Sequence, residues 1–161
     1  MDKSSVQNYC KNIVITTKME KEVVIICLIY IERLIVRTNM YLSAINWKRI
    51  TFAALILASK IWDDESFENN NFARAFPQFT TKEINELEKV FLEFLDYNLM
   101  VNASDYAKYY FILRTFAEKN RKSFPLKALN LQTVRLLQKR AAVTSRTLKE
   151  AYAEPLNKTF S

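Results

Sequence analysis

The 161-residue sequence contains no glycine, and this absence constrains the fold more than any other feature. Glycine is the residue that most readily adopts the positive φ angles of tight turns, on which β-hairpins depend. Prolines are also few: Pro77, Pro125 and Pro155. The composition therefore favours helices joined by short polar loops over a hairpin-rich sheet. We expect asparagine, which is plentiful, to occupy the positive-φ positions.

The missing residue types also exclude several classes of function. Without glycine there is no phosphate-binding loop and no dinucleotide-binding fingerprint. Without histidine, the usual general base and the usual metal ligand are both absent. Cys10 and Cys27 have no metal-binding spacing, and their apolar surroundings predict buried free thiols. We therefore expect a non-enzyme that binds no metal and no cofactor.

Apolar periodicity predicts an all-α fold, with no period-2 run that would form a convincing strand. Half of the residues are hydrophobic, which is enough to bury a core. Asn46 and Ser104 are predicted to cap helices, and Thr80 with Glu83 forms a capping-box pattern. The predicted helices cover about residues 4–16, 20–37, 46–62, 70–76, 80–97, 104–118 and 131–152.

No segment is predicted to span a membrane. The longest strongly apolar run, Val23 to Ile31, is bounded by Glu22 and Glu32 and is far shorter than the roughly 20 residues that a spanning helix needs. No signal peptide is expected, and Asp2 stands where N-terminal myristoylation requires glycine. An intracellular location, cytoplasmic or nuclear, is the expectation, with membrane recruitment left open.

The net charge of +7 is concentrated at the C-terminal end. Residues 1–118 carry 14 Lys and Arg against 15 Asp and Glu, whereas residues 119–161 carry 10 against 2. A uniform nucleic-acid-binding face is therefore not expected.

Lys60 and Glu88 are two charged residues placed among apolar ones. Lys60 ends the run "FAALILAS", and Glu88 lies at the border of the apolar stripe of the fifth helix, which we expect to consist of Ile84, Leu87, Phe91, Phe94 and Leu95. Leu92 is expected to continue an exposed apolar edge beyond Glu88. The pattern allows a partly buried pair within the chain, or two groups at the rim of an apolar patch that bind a partner's backbone.

Several ordered sequence blocks resemble the cyclin box. These are "IYIERLI", then "LASK" at the end of an alanine-rich helix, then "ELEKVFLEFLDYNL". The blocks "NWKRITFAALILASKIWDD", "INELEKVFLEFLDYN", "SDYAKYYFILRTFAE" and "KSFPLKAL" resemble the cyclin Y subfamily. The resemblance implies a cyclin-box bundle of five main helices with an additional terminal helix. It places the box in residues 1–120, a linker in 121–130, and a basic C-terminal helix and tail in 131–161.

The resemblance also implies a function and a binding site. Cyclins bind a cyclin-dependent kinase as a heterodimer and hold its αC helix in the active position, and cyclin Y relatives activate kinases of the PCTAIRE and PFTAIRE type. The lysine of "LASK" and the glutamate of the fifth helix grip the kinase backbone in this family, and apolar residues surround them. By position, the kinase-binding residues are Lys60, Glu88, Leu57, Ile61, Leu92, Tyr97 and Leu99.

Two departures and one alternative accompany the resemblance. The first helix lacks the "MRAIL" patch with which some cyclins dock substrates, and it offers no arginine to pair with Glu32. Cyclin-like boxes also occur in transcription factors that bind nucleic acid or protein, so a module of that kind is the alternative function. In such a module the basic C-terminal tail would contact DNA phosphates, and the affinity for DNA would fall as the salt concentration rises.

A final candidate is a phosphorylation site at Ser123. It lies in "NRKSFP", two residues after Arg121 and two before Pro125, and loosely resembles motifs bound by 14-3-3 adaptors. The simpler interpretation is a turn residue, with Phe124 packed into the core.

Overall fold

The computed structural model describes residues 2–64, 66–124 and 126–159, with side chains as far as residue 153. These residues form helices and loops and contain no strand, so the predicted all-α fold is confirmed. The helices are α1 (Lys3–Thr16), α2 (Val23–Thr38), α3 (Trp47–Trp62), α4 (Asn69–Ala75), α5 (Thr81–Phe94), α6 (Ala103–Lys119) and α7 (Leu131–Thr159).

Helix α3 is the centre of the bundle. It packs against α1, α2, α5 and α7, and nearly all of its side chains between Thr51 and Ile61 are buried. Ala53, Ala54 and Ala58 are among them, and their small side chains let neighbouring helices approach closely. A helix that is apolar all round is stable in water only when it is enclosed in this way.

Helix α2 fixes the segment between α5 and α6 through its polar side chains. The hydroxyl of Tyr30 donates to the carbonyl of Leu99 at 2.8 Å. The guanidinium of Arg33 donates to the carbonyls of Asn98 at 2.7 Å and Met100 at 2.8 Å. These bonds satisfy carbonyls that lie outside any helix, so the "IYIERLI" block positions the segment between α5 and α6.

Helix ends with positive φ are mostly not asparagine, which corrects our expectation. Among the described residues, positive φ occurs at Lys18, Asn39, Asp96, Tyr97 and Arg121. After α1 the N–H groups of Lys18 and Met19 donate to carbonyls of the last helical turn, as in a Schellman motif. These bonds outweigh the roughly 1–2 kcal/mol that a left-handed conformation costs a residue other than glycine.

The predicted helix caps meet different outcomes. Thr80 and Glu83 form the reciprocal capping box. Asn46 precedes α3, but its side-chain oxygen accepts the N–H of Ser43 in the preceding turn and does not cap the helix. Helix α6 begins at Ala103, so the expected Ser104 cap is wrong. Short polar residues satisfy nearby backbone groups in several ways, and the sequence alone does not select one.

The two thiols are free, and they are buried to different degrees. Cys27 lies inside the core, and burial raises its pKa well above the usual value. Cys10 is only half-buried, because α1 lies at the edge of the bundle, so the prediction of a fully buried thiol is wrong there. No helix of the described residues is long and apolar enough to cross a membrane.

The segment that follows α6 is tied to the bundle. The backbone N–H of Lys127 donates to Glu22 at 3.0 Å, and its carbonyl accepts the hydroxyl of Tyr106 at 2.9 Å. Helix α7 then extends to Thr159, beyond the predicted end at Tyr152. The predicted boundaries at residues 120 and 130 stay a prediction.

Candidate functional site

Lys60 lies in the last turn of α3 and directs its ammonium toward α5. Its Nζ lies 2.5 Å from Oε2 of Glu88 and 3.0 Å from Oδ1 of Asn69. The Lys60 side chain is 15% exposed and that of Glu88 only 1%. A charged carboxylate can be buried this deeply because a cation and further hydrogen bonds compensate for its lost hydration.

The second oxygen of Glu88 is also occupied. Oε1 accepts the hydroxyl of Tyr152 at 2.5 Å and the side-chain amide of Asn69 at 3.3 Å. The same amide donates to Asn85 at 2.7 Å. Residues of α3, α4 and α7 thus converge on one carboxylate of α5. Burial raises the pKa of Tyr152, and the charge of Glu88 and the hydrogen bond to Glu88 raise it further. The Tyr152 hydroxyl therefore keeps its proton and remains a donor.

The buried face of α5 differs from the sequence prediction. Glu88 lies within this face and not at its border, between the buried residues Ile84, Phe91 and Leu92. Phe94, expected in the core, is 42% exposed, and Leu92, expected to be exposed, is fully buried. The buried face is rotated toward Glu88. This carboxylate can be buried because Lys60 and Tyr152, on other helices, donate hydrogen bonds to it.

The remaining predicted kinase-binding residues do not form an exposed apolar surface in this chain. Leu57, Ile61 and Leu99 are fully buried, like Leu92, and Tyr97 is partly buried. All are members of the hydrophobic core or pack against it, and α7 adds a layer over α3. The prediction that the four aliphatic residues belong to an exposed patch is therefore wrong. Their role in kinase binding stays a prediction.

Lys60, Asn69 and Glu88 form a polar network, and a cleft of about 540 Å³ lies between this network and α7. One wall carries Lys60, Asn69 and Glu88. The opposite wall is formed by α7 residues, among them Leu148 and Tyr152. That α7 reaches this site could not be predicted, because the i, i+4 spacing of Leu148 and Tyr152 indicates an apolar helix face but not the surface on which it packs.

Sequence reasoning also missed a second cleft, of about 510 Å³, beside α5. It is lined by Phe79, Val90 and Phe94, with Arg49 and Glu83 at polar positions. The exposed face of Phe94 contributes to it because the buried face of α5 is rotated away from that residue.

The other residues singled out from the sequence lie apart from the network. Glu32 pairs with Lys108 at 3.0 Å and accepts a hydrogen bond from Tyr109, so α6 supplies the partners that the first helix lacks. Ser123 is exposed, and the ring of Phe124 packs edge-on against Tyr110 at 5.2 Å. Pro125 lies outside the described residues, and modification of Ser123 or its binding by a 14-3-3 adaptor stays a prediction.

Comparisons with known proteins address the family. No solved structure matches the chain. The family model described as Cyclin matches residues 1–99, which is more than half of the chain and includes both Lys60 and Glu88. The chain belongs to the cyclin family.

Proposed function

We propose that this chain is the regulatory subunit of a cyclin-dependent kinase of the PCTAIRE or PFTAIRE type. Cyclins are regulatory proteins, not enzymes, and a cyclin-dependent kinase is the partner that the family implies in general. The observation that carries the proposal is the Lys60–Glu88 pair, which lies in the matched segment and consists of the two residues that the resemblance to the cyclin box assigns to kinase binding.

The pair has the chemistry to bind backbone groups of a helix. An ammonium has three N–H donors, and Lys60 uses two on Glu88 and Asn69, so one is left for a carbonyl of the partner. Glu88 can accept a backbone N–H at Oε1 when the hydroxyl of Tyr152 is displaced. Tyr97 would lie at the rim, above a floor of Leu57, Ile61, Leu92 and Leu99.

The mechanism is the selection of one kinase conformation. A protein kinase is active when its αC glutamate pairs with the lysine of its β3 strand and orients the nucleotide phosphates. A subunit that binds the αC helix in its inward position favours that state. Its effect is limited by the difference between its affinities for the two conformations. The chain itself contributes no reacting group.

The preference for PCTAIRE- and PFTAIRE-type kinases rests on the resemblance to cyclin Y. The blocks that carry it continue beyond residue 99, through α6 and the following segment. Residues of these blocks make defined contacts: Lys108 and Tyr109 bind Glu32, and Tyr106 binds the carbonyl of Lys127. The resemblance thus includes residues that hold α6 and the segment after it onto the bundle.

The test is a titration of the full chain against purified kinases. A PFTAIRE-type kinase and a cell-cycle kinase of another type serve as matched partners, and both binding and phosphorylation of a generic substrate are measured. We expect complex formation and activation with the first and much weaker binding to the second. Equal binding to both would reject the subfamily. Binding to neither, together with salt-dependent DNA binding, would favour the transcription-factor alternative.

A further inference from the structure

Helix α7 is held to the bundle unevenly along its length. In its first half Val134, Leu137 and Ala141 are buried. Arg140 donates to the carbonyl of Trp62 at 2.6 Å and pairs with Asp64. This half is fixed by both apolar packing and charged hydrogen bonds.

The following segment, residues 144–153, is held by fewer contacts, and we call it the strap. Leu148 and Tyr152 are its partly buried hydrophobic residues, none of its residues is fully buried, and the cleft of about 540 Å³ lies beneath it. The Tyr152 hydroxyl donates a hydrogen bond to Glu88. The ammonium of Lys149 lies 5.9 Å from the ring centre of Tyr97, in a cation–π contact. Segments with few buried apolar contacts open at lower free energy than the rest of a fold.

The sequence of α7 also favours separation at this point. Val143, Thr144 and Ser145 follow one another where the first half of α7 meets the strap, and β-branched residues and serine are weaker helix formers than alanine or leucine. Beyond Tyr152, Pro155 lacks the backbone N–H that a helix interior uses. The strap is thus bounded on both sides by positions at which the helix is locally weakened.

The strap contacts Glu88 and Tyr97, two of the residues that the proposed function needs to be accessible. Tyr152 occupies Oε1 of Glu88 while Lys60 occupies Oε2, so the carboxylate has no oxygen free of a protein partner. Lys149 lies over Tyr97. The Glu88 side chain is only 1% exposed, and Tyr152 and Leu148 lie opposite it, so a helix of another protein cannot reach the carboxylate in this conformation.

We propose that the strap is an intramolecular blocker of the kinase-binding site, which must lift from Glu88 before the kinase docks. This inference rests on the proposed function. Kinase binding then selects the open form, and the apparent dissociation constant exceeds the intrinsic one by the inverse of the open fraction. The first half of α7 stays in place, so the strap remains tethered beside its site.

The test compares the full-length chain with variants that loosen the strap. Tyr152→Phe removes the hydroxyl bond and keeps the ring, and Leu148→Ser weakens the same segment without touching Glu88. Tyr41→Phe, at an exposed tyrosine, is the matched control. We expect both strap variants to bind a PFTAIRE-type kinase about three- to tenfold more tightly than the parent chain, and Tyr41→Phe to bind like it.

Hydrogen exchange gives a second readout. In the free protein, both strap variants should speed exchange of amides 144–153 and leave those of residues 131–141 slow. Addition of kinase to the parent chain should speed exchange in the strap. Protection of the strap by kinase, or unchanged affinity of both variants, would overturn the proposal while leaving kinase binding intact. If the parent and all variants bind no kinase, the proposed function itself fails, and the blocking role with it.

Discussion

Lys60 and Glu88 are 28 positions apart in the chain and 2.5 Å apart in space. Their bond joins the last turn of α3 to the middle of α5, inside the segment that matches the cyclin family. Because Glu88 is almost completely buried, the pair contributes to the fold as well as to the proposed interface. Effects on stability and on kinase binding must therefore be measured separately.

Lys60→Met should destabilise the fold. The carboxylate of Glu88 would stay buried with Tyr152 and Asn69 as its hydrogen-bond donors but without its cation. Removing one partner of a buried ion pair lowers the free energy of unfolding by about 3 kcal/mol. Urea unfolding measures this loss, and a change below about 1 kcal/mol would show that solvent already screens the pair.

The double variant Lys60→Met/Glu88→Met separates the two roles of the pair. Two apolar side chains of similar size replace two charges, so most of the stability lost in the single variant should return. Kinase binding should nevertheless be lost in the double variant, because neither methionine side chain can bind a backbone group. A double variant that is stable and binds the kinase like the parent chain would mean that the pair is purely structural.

The rotated face of α5 predicts opposite outcomes for two neighbouring residues. Leu92→Ala empties a fully buried position and should lower the free energy of unfolding by about 2–5 kcal/mol. Phe94→Ala, at a residue that is 42% exposed, should lower it by no more than about 1 kcal/mol. Urea unfolding of both variants gives the comparison. The reverse order would mean that the face predicted from hydrophobic periodicity is the buried one.

Apolar periodicity predicted helix α5, and the capping-box pattern predicted its Thr80–Glu83 cap. Neither predicted which face of the helix is buried. The capping signal is local, because both residues lie within one turn. The orientation depends on whether Glu88 can be buried, and this is decided by Lys60 and Tyr152, 28 and 64 positions away in the chain. A hydrophobicity pattern places a glutamate outside the core, since it carries no information about distant partners.

The position of α7 was unpredictable for a similar reason. Its apolar spacing indicated a helix, and its charge suggested a solvated basic face. Besides its buried apolar residues, the contacts that set its position are the hydrogen bonds of Arg140 to the carbonyl of Trp62 and of Tyr152 to Glu88. A backbone carbonyl is present at every residue, so the sequence cannot show which one an arginine will bind. The hydrogen bonds of Arg33 to carbonyls between α5 and α6 could not be predicted for the same reason.

Lys18→Gly should stabilise this glycine-free chain. Lys18 is exposed and has a φ of 56° at the end of α1. Relief of the left-handed strain exceeds the added flexibility of the unfolded chain, so the free energy of unfolding should rise by about 0.5–1 kcal/mol. The control is Lys11→Gly, at an exposed position inside α1, which should lower it by about 1 kcal/mol. Equal losses in both variants would contradict the positive φ at Lys18.

Asp63 should make stability depend on pH. It follows the last residue of α3, where burial raises its pKa from 3.8 to about 6, and the charges of Glu20 and Asp64 act in the same direction. The hydrogen bond from the Glu20 N–H opposes this shift. The folded protein therefore holds a proton between pH 3.8 and about 6 that the unfolded chain has lost. The contribution of Asp63 to stability is full below this range and falls as pH rises through it.

Asp63→Asn removes this dependence, because an amide does not titrate and its oxygen can still accept the N–H of Glu20. The variant should match the parent chain at about pH 4 and exceed its free energy of unfolding by about 1 kcal/mol at about pH 7, a value reduced for the partial exposure of the group. Glu86→Gln, at an exposed carboxylate, should show no such difference between the two pH values. Urea unfolding at both values makes the comparison. A stability gain of Asp63→Asn that is equal at both would show that the carboxylate is not the titrating group.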